Sequence, residues 1–141
     1  MLQVAEKQRT TLHAKTNRQH KSSLGQFMTP ATVARFMASM FTTPASNVRL
    51  LDAGAGLGAL TCAFLDRLQE APRAALETSV VAFEIDASLR PSLVRTLAGY
   101  DGVRSEIRGE DFLRVAADRI QSDQRGFTHA ILNPPYKKIA T

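Results

Sequence analysis

The sequence predicts an α/β fold built on a parallel sheet, and three observations carry that expectation. Apolar runs suited to strands alternate four times with stretches of helical periodicity. Breakers separate them, among them Pro72, the turn from Gly99 to Gly102 and Gly126. Polar residues able to do chemistry fall just after the runs rather than within them. Alternation of this kind calls for right-handed crossovers, which lay helices on the faces of a parallel sheet.

The elements follow in order. Residues 1–22 read as a basic N-terminal arm, and residues 23–141 as the folded part. From Pro30 to Phe41 the apolar residues Val33, Phe36, Met37, Met40 and Phe41 recur at helical spacing after a Thr-Pro pair that suits a helix start. Then come a strand over Val48 to Leu51, a helix over Ala59 to Gln69 and a strand over Val80 to Phe83. A helix over Leu89 to Leu97, a strand over Val103 to Ile107, a helix over Phe112 to Ile120 and a strand over Phe127 to Leu132 complete the series. No internal repeat or low-complexity segment is present.

At 141 residues the chain makes one domain at most, long enough to bury about two thirds of its unfolded surface. A composition 44% hydrophobic and 22% charged excludes collagen-like, coiled-coil and disordered classes. No apolar stretch approaches a membrane span. The polar N-terminus lacks the apolar core of a secretory signal and the single Cys62 has no partner for a disulfide, so a cytoplasmic location is expected. The net charge of +5 is concentrated early: Lys7, Arg9, Lys15, Arg18 and Lys21 against Glu6 leave +4 before Phe27. Such an arm suits contact with a polyanion such as DNA, and equally suits a solvated leader.

Asp52, Glu84, Asp86, Asp111 and Asn133 fall at or shortly after the carboxyl ends of the successive runs. In an open α/β sheet the ligand crevice lies outside those ends, at the switch in strand order, so these residues converge on one cleft. The segment Asp52-Ala-Gly54-Ala-Gly56-Leu-Gly58 is a glycine-rich strand-to-helix turn against which a ligand can lie. Its spacing is one residue short of the dinucleotide pattern, and Asp52 suits an ammonium group better than a pyrophosphate. The plain alternative is a tight turn that needs glycine for packing. Glu84 is placed to accept hydrogen bonds from ribose hydroxyls, with Ile85 against a base. Asp86 with Ser88 also suits a helix cap. Asp111-Phe112 offers a carboxylate and a ring to an adenine, or alternatively an N-cap followed by a core Phe.

Asn133-Pro134-Pro135-Tyr136 is the most informative segment. Two prolines make a stiff, extended exit from the sheet with carbonyls to spare. The Asn133 amide oxygen and the Pro134 carbonyl can accept both hydrogens of an exocyclic amine while Tyr136 stacks on its plane. A Pro-Pro loop exit with a surface Tyr is the simpler alternative. His129 and Cys62 have no companions at metal-ligand spacing and read as structural.

Gln26-Phe27-Met28-Thr29-Pro30, Asp52 to Gly58, Glu84-Ile85-Asp86, Gly109-Glu110-Asp111-Phe112 and Asn133 to Tyr136 together resemble the ordered motifs of amino-group adenine DNA methyltransferases. The gamma arrangement found in restriction-modification methylases is the one resembled, over residues from about 23 to 141. The resemblance implies a Rossmann-like S-adenosylmethionine-dependent methyltransferase fold. It implies that Thr29 and Pro30 border the methionine moiety of the cofactor, with Asp52, Gly54, Gly56 and Gly58 at its amino acid end. Glu84 would hold the ribose, and Ile85, Asp111 and Phe112 would enclose its adenine. Asn133, Pro134, Pro135 and Tyr136 would hold a target adenine flipped out of DNA. The implied mechanism needs no metal.

Against that family the chain is expected to be truncated after its fourth strand, without later strands or a target recognition domain. The fourth strand would then be an open edge, to be covered by another fragment or by a second copy of the chain. Competing expectations are a methyltransferase acting on protein glutamine or RNA, and a non-catalytic remnant that binds cofactor or DNA. A nicotinamide-binding domain fits the glycine spacing less well.

Overall fold

The computed structural model describes residues 1–15, 28–42, 47–70, 77–120 and 126–134. Helices α1 (Leu2–Lys15) and α2 (Ala31–Ser39) precede β1 (Val48–Asp52). There follow α3 (Ala59–Gln69), β2 (Thr78–Phe83), α4 (Arg90–Leu97), β3 (Val103–Arg108), α5 (Phe112–Ile120) and β4 (His129–Ile131). The alternation read from the sequence is present, with ends that differ by two residues at most.

The strands form a four-stranded sheet in the order β3-β2-β1-β4, with every pairing parallel. Asp52 pairs with Ala82 on one side and Ile131 on the other, so the carboxyl ends of β1, β2 and β4 lie level. The chain progresses from β1 outward to β3 and then returns to the opposite side of β1. That reversal is the switch point, and it places the crevice above β1. β2 buries Val80, Ala82 and Phe83, whereas outer β3 carries Arg104, Glu106 and Arg108 and is largely exposed, a composition that discourages pairing with a further strand.

Helix α3 is the central helix. Leu60, Thr61, Cys62, Ala63, Phe64, Leu65 and Leu68 are all buried because it lies between the sheet and the pair α1 and α2. Helix α4 adds Leu93 and Leu97 to the same core. Just beyond it, the Tyr100 hydroxyl lies 3.0 Å from the Cys62 carbonyl and contacts the Asp66 carboxylate, pinning the end of α4 to α3. Cys62 is buried and its thiol is pushed up to about 11, chiefly by desolvation. His129 packs its ring beside Phe41 and Phe64. Cys62 is a core member, and His129 is half-buried beside the core.

Two expectations change. Of the apolar residues at helical spacing from Pro30 to Phe41, Met37 and Phe41 pack against the core, but the residues fully buried on α2 are Ala34 and Ala38, while Phe36 and Met40 are 67% and 73% exposed and Val33 is also exposed. Two alanines on one face let α2 approach α3 closely, and Val33, Phe36 and Met40 stay outside. The supposed N-terminal arm is, through Lys15, the helix α1. Leu2 and Ala5 are each only 1% exposed, the Met1 ammonium lies 3.4 Å from Asp66, and the helix packs on α2 and α3. Residues 16–27, which include Gln26 and Phe27, lie outside the described residues.

If α1 belongs to the folded unit, Leu2→Ala destabilises the protein by about 2–4 kcal/mol. Urea unfolding checks this. An unchanged midpoint would return residues 2–15 to the status of an arm.

Candidate cofactor crevice

The crevice begins with the turn after β1. The Ala55 amide donates to the Phe83 carbonyl at 2.9 Å, and the Gly58 amide donates back to Ala55 at 2.7 Å, so the loop curls over the end of β2 before α3 starts. Gly56 and Gly58 have positive φ, 56° and 86°. Their roles separate. A Cβ at Gly54 or Gly56 would meet no heavy atom within 4 Å, whereas at Gly58 it would lie 2.9 Å from Leu93 Cδ1. Gly54 and Gly56 therefore border open space, and Gly58 is needed for the left-handed start of α3 and its packing on α4.

The space they border is a cavity of about 400 Å³, within the range of small-molecule sites, about 300–1,000 Å³. Of the residues singled out from the sequence, it is lined by Thr29, Gly54, Gly56, Glu84, Ile85, Asp111, Phe112, Asn133 and Pro134. Segments more than a hundred residues apart are brought to one wall. Pro30, Asp52 and Gly58 do not line it, and Pro135 and Tyr136 lie outside the described residues. The wall also contains residues that motif reading passed over, notably Ala5 and Arg9 of α1, Leu113 and Leu132.

Glu84 is the best-held polar group. It is only 6% exposed, and its Oε2 and Oε1 accept the amides of Gly56 and Asp86, each at 2.7 Å. Desolvation raises its pKa, with the two amides pulling the other way. Each carboxylate oxygen retains a second acceptor site, so a pair of hydroxyls can still be bound.

Asp52 differs from the expectation. It is fully buried, accepts the Thr61 hydroxyl at 2.7 Å on Oδ2, and has no hydrogen bond to Oδ1 among the described residues. Burial pushes its carboxyl up to about 6, against the pull of the Thr61 hydroxyl. It sits two residues after buried Leu50, hence on the same, inward face of β1. It ties the first turn of α3 to the sheet from behind the loop.

At the other strand ends both local alternatives are realised. Asp86 Oδ1 accepts the Ser88 amide and hydroxyl at 2.8 and 2.6 Å, which shapes the entry to α4. Asp111 Oδ1 accepts the Leu113 amide at 2.9 Å as a cap on α5, yet Asp111 also lines the cavity. Phe112 packs edge-on to Phe83, and with exposed Ile85 and Leu113 it makes an apolar part of the cavity wall. Across the crevice the Asn133 amide nitrogen donates to the Thr29 hydroxyl at 3.0 Å. That contact leaves the Asn133 oxygen as an acceptor.

The chain matches no protein-family profile. It is 41% identical over 150 aligned positions to Type II methyltransferase M.BsuBI of Bacillus subtilis, covering 99% of this chain and 29% of that protein. It is 32% identical over 128 positions to Type II methyltransferase M.PstI of Providencia stuartii, covering 85% of this chain and 25% of that protein. Over that segment the chain is homologous to these Type II methyltransferases. It spans less than a third of the length of these relatives. The four parallel strands are accordingly those of a Rossmann-like methyltransferase fold.

The cavity's chemistry fits S-adenosylmethionine: a loop open at Gly54 and Gly56, a buried carboxylate with acceptor sites left at Glu84, and apolar walls at Ile85, Phe112 and Leu113.

Two predictions follow from this geometry. Gly58→Ala costs about 1–3 kcal/mol of stability because of its positive φ and the contact with Leu93, while Gly54→Ala leaves the unfolding midpoint unchanged and weakens ligand binding. Equal destabilisation by the two would refute the separation of roles. For Asp52 the folded pKa lies above the unfolded one, so folding favours the protonated carboxyl. Its contribution is present below about pH 4 and is lost as pH rises to about 6, on the order of 3 kcal/mol. Wild-type stability minus that of Asp52→Asn, measured from pH 4 to 7, falls across that window; a flat difference would show the carboxyl to be unperturbed.

Proposed function

We propose that this chain carries the cofactor-binding and amine-binding elements for methyl transfer from S-adenosylmethionine to the N6 amine of adenine in DNA. The observation that carries the reading is the Asn133 amide, held by Thr29 with its oxygen left as an acceptor, in the crevice that also contains Glu84, Asp111 and Phe112. The names of the relatives, Type II methyltransferases, support the reaction class.

When bound, the cofactor supplies an electrophilic methyl on sulfur. The chain's own residues position and polarise. Adenine's exocyclic amine is a weak nucleophile because its lone pair is delocalised into the ring. Accepting its two hydrogens at Asn133 Oδ1 and the Pro134 carbonyl returns density to nitrogen, so no prior proton removal is required. Tyr136, next but one to Pro134 in sequence and following Pro135, is assigned the stacking on the flipped base. On the cofactor side Glu84 accepts the ribose hydroxyls, and Ile85, Asp111 and Phe112 receive the adenine. Thr29 lies at the meeting of the two subsites, and Pro30 fixes the backbone that carries it.

DNA is the partner, in a restriction-modification setting and a cytoplasmic location. Among the described residues no helix is long and apolar enough to cross a membrane. Further polypeptide belongs on the open side of β4, which pairs only with β1 among the described residues, and over exposed Phe36 and Met40. A separate fragment and a second copy of the chain both satisfy that demand.

Transfer of labelled methyl from S-adenosylmethionine to adenine-containing DNA tests the reading, with RNA and protein acceptors alongside. Asn133→Ala is expected to lower transfer by at least about 100-fold with cofactor affinity nearly unchanged. Glu84→Ala weakens cofactor binding. Label incorporated into RNA or protein but not DNA would overturn the substrate assignment, and equal loss of both properties in folded Asn133→Ala would overturn the division of roles.

A further inference from the structure

We propose that Arg9, on α1, is the counter-ion for the carboxylate at the amino acid end of the methyl donor, which makes the N-terminal helix part of the cofactor site. This rests on the cofactor reading above. Arg9 lines the cavity together with Ala5, Met28 and Thr29, and its side chain is 22% exposed. Among the described residues lining the cavity it is the only cation, facing a wall that also holds Glu84, Glu110 and Asp111. An anionic group entering this crevice has one side chain to offset its charge.

The guanidinium is already oriented. Its Nε and Nη2 donate to Glu6 Oε2 and Oε1 at 2.8 and 2.6 Å, and Glu6 Oε2 also accepts the amide of Ala31 at 3.2 Å. Glu6 thus joins α1 to the start of α2, immediately after Thr29 and Pro30. The hydrogen bond from Arg9 outweighs desolvation and holds Glu6 below its usual pKa, so it stays charged. The Glu6 contact uses one edge of a planar five-donor group. The other edge, Nη1 with the second hydrogen of Nη2, matches another carboxylate in bidentate fashion.

The layout of the cavity decides which end of the ligand arrives there. Apolar Ile85, Phe112 and Leu113 stand at the ends of β2 and β3, and Glu84 is at the end of β2. A ligand with its flat ring against those residues and its hydroxyls on Glu84 extends across Gly54 and Gly56 toward β1, β4 and α1. With Glu6 already paired to Arg9, a ligand carboxylate leaves this group with one net negative charge, whereas a dianionic phosphate would leave two.

The test is calorimetric titration of the full chain with S-adenosylmethionine and with decarboxylated S-adenosylmethionine, which keeps the sulfonium and the ammonium and lacks only the carboxylate. The wild-type protein is expected to prefer the former by on the order of 10- to 100-fold, the value of a charge-assisted hydrogen-bonded pair. Arg9→Gln is expected to bring that ratio close to one with little change in affinity for the decarboxylated ligand, and Arg9→Lys to restore part of it. The ligand-side comparison changes nothing in the protein, so it stands even if Arg9→Gln folds poorly. Equal wild-type affinity for the two ligands, or a preference that persists in folded Arg9→Gln, overturns the assignment of Arg9. Failure of the folded wild-type chain to bind either ligand overturns the cofactor reading itself, and the Arg9 assignment with it.

Discussion

The crevice depends on how the turn after β1 is held, and two carboxylates hold it from opposite sides. Glu84 grips the Gly56 amide from the end of β2, and Asp52 ties the Thr61 hydroxyl from the end of β1. A glycine-rich loop is entropically costly to order. Here the order comes from charge-assisted hydrogen bonds to the backbone and from the seating of α3 against the sheet. The arrangement carries its own opposing term, since desolvation raises both carboxyl pKa values and Asp52 also feels the charge of Glu84. Stability is therefore spent on shaping a surface open to a ligand.

A second chain of contacts runs along the other wall. Arg9 is held by Glu6, Glu6 accepts the amide of Ala31, and two residues earlier Thr29 accepts the Asn133 amide. The Thr-Pro pair at the start of α2 is thus the joint between the N-terminal helix and the loop after β4. Proline suits this place because it forgoes an amide at a helix start, where amides lack intrahelical partners. The extended conformation of Pro30, φ −62° and ψ 149°, lets the chain turn abruptly into α2.

The strands and most helices were legible because apolar runs alternate with helical spacing between breakers, and the gathering of Glu84, Asp111 and Asn133 followed from strand ends in a parallel sheet. What escaped was set by tertiary packing. Among the described side chains of α1 only Leu2 and Ala5 are deeply buried, and an alanine gives almost no hydrophobic signal, so a docked basic helix looked like a solvated arm. On α2 two alanines, with Met37 beside them, marked the buried face, and the more conspicuous Phe36 and Met40 did not. Gly58 resembled its neighbours in the glycine pattern, although Leu93, distant in sequence, determines its role. Asp52 was within reach of simple alternation, because a residue two places after a core leucine on a strand shares its face.

Asn133 shows why the second chain of contacts matters. It follows a strand of three residues that pairs on one side only among the described residues, a weak support for a group that must be oriented to fractions of an ångström. Its amide is fixed across the crevice to Thr29, which is largely buried and precedes a helix packed directly on α3. The orientation of the Asn133 oxygen is therefore referred to the core through helices rather than through the sheet edge. The crevice lies between those two supports, lined by Thr29 and Asn133 together with Ala5 and Arg9 of α1. Whatever fills it meets both the N-terminal helix and the pair that fixes the Asn133 amide, so in this architecture the shape of the crevice and the alignment of that amide rest on the same contacts.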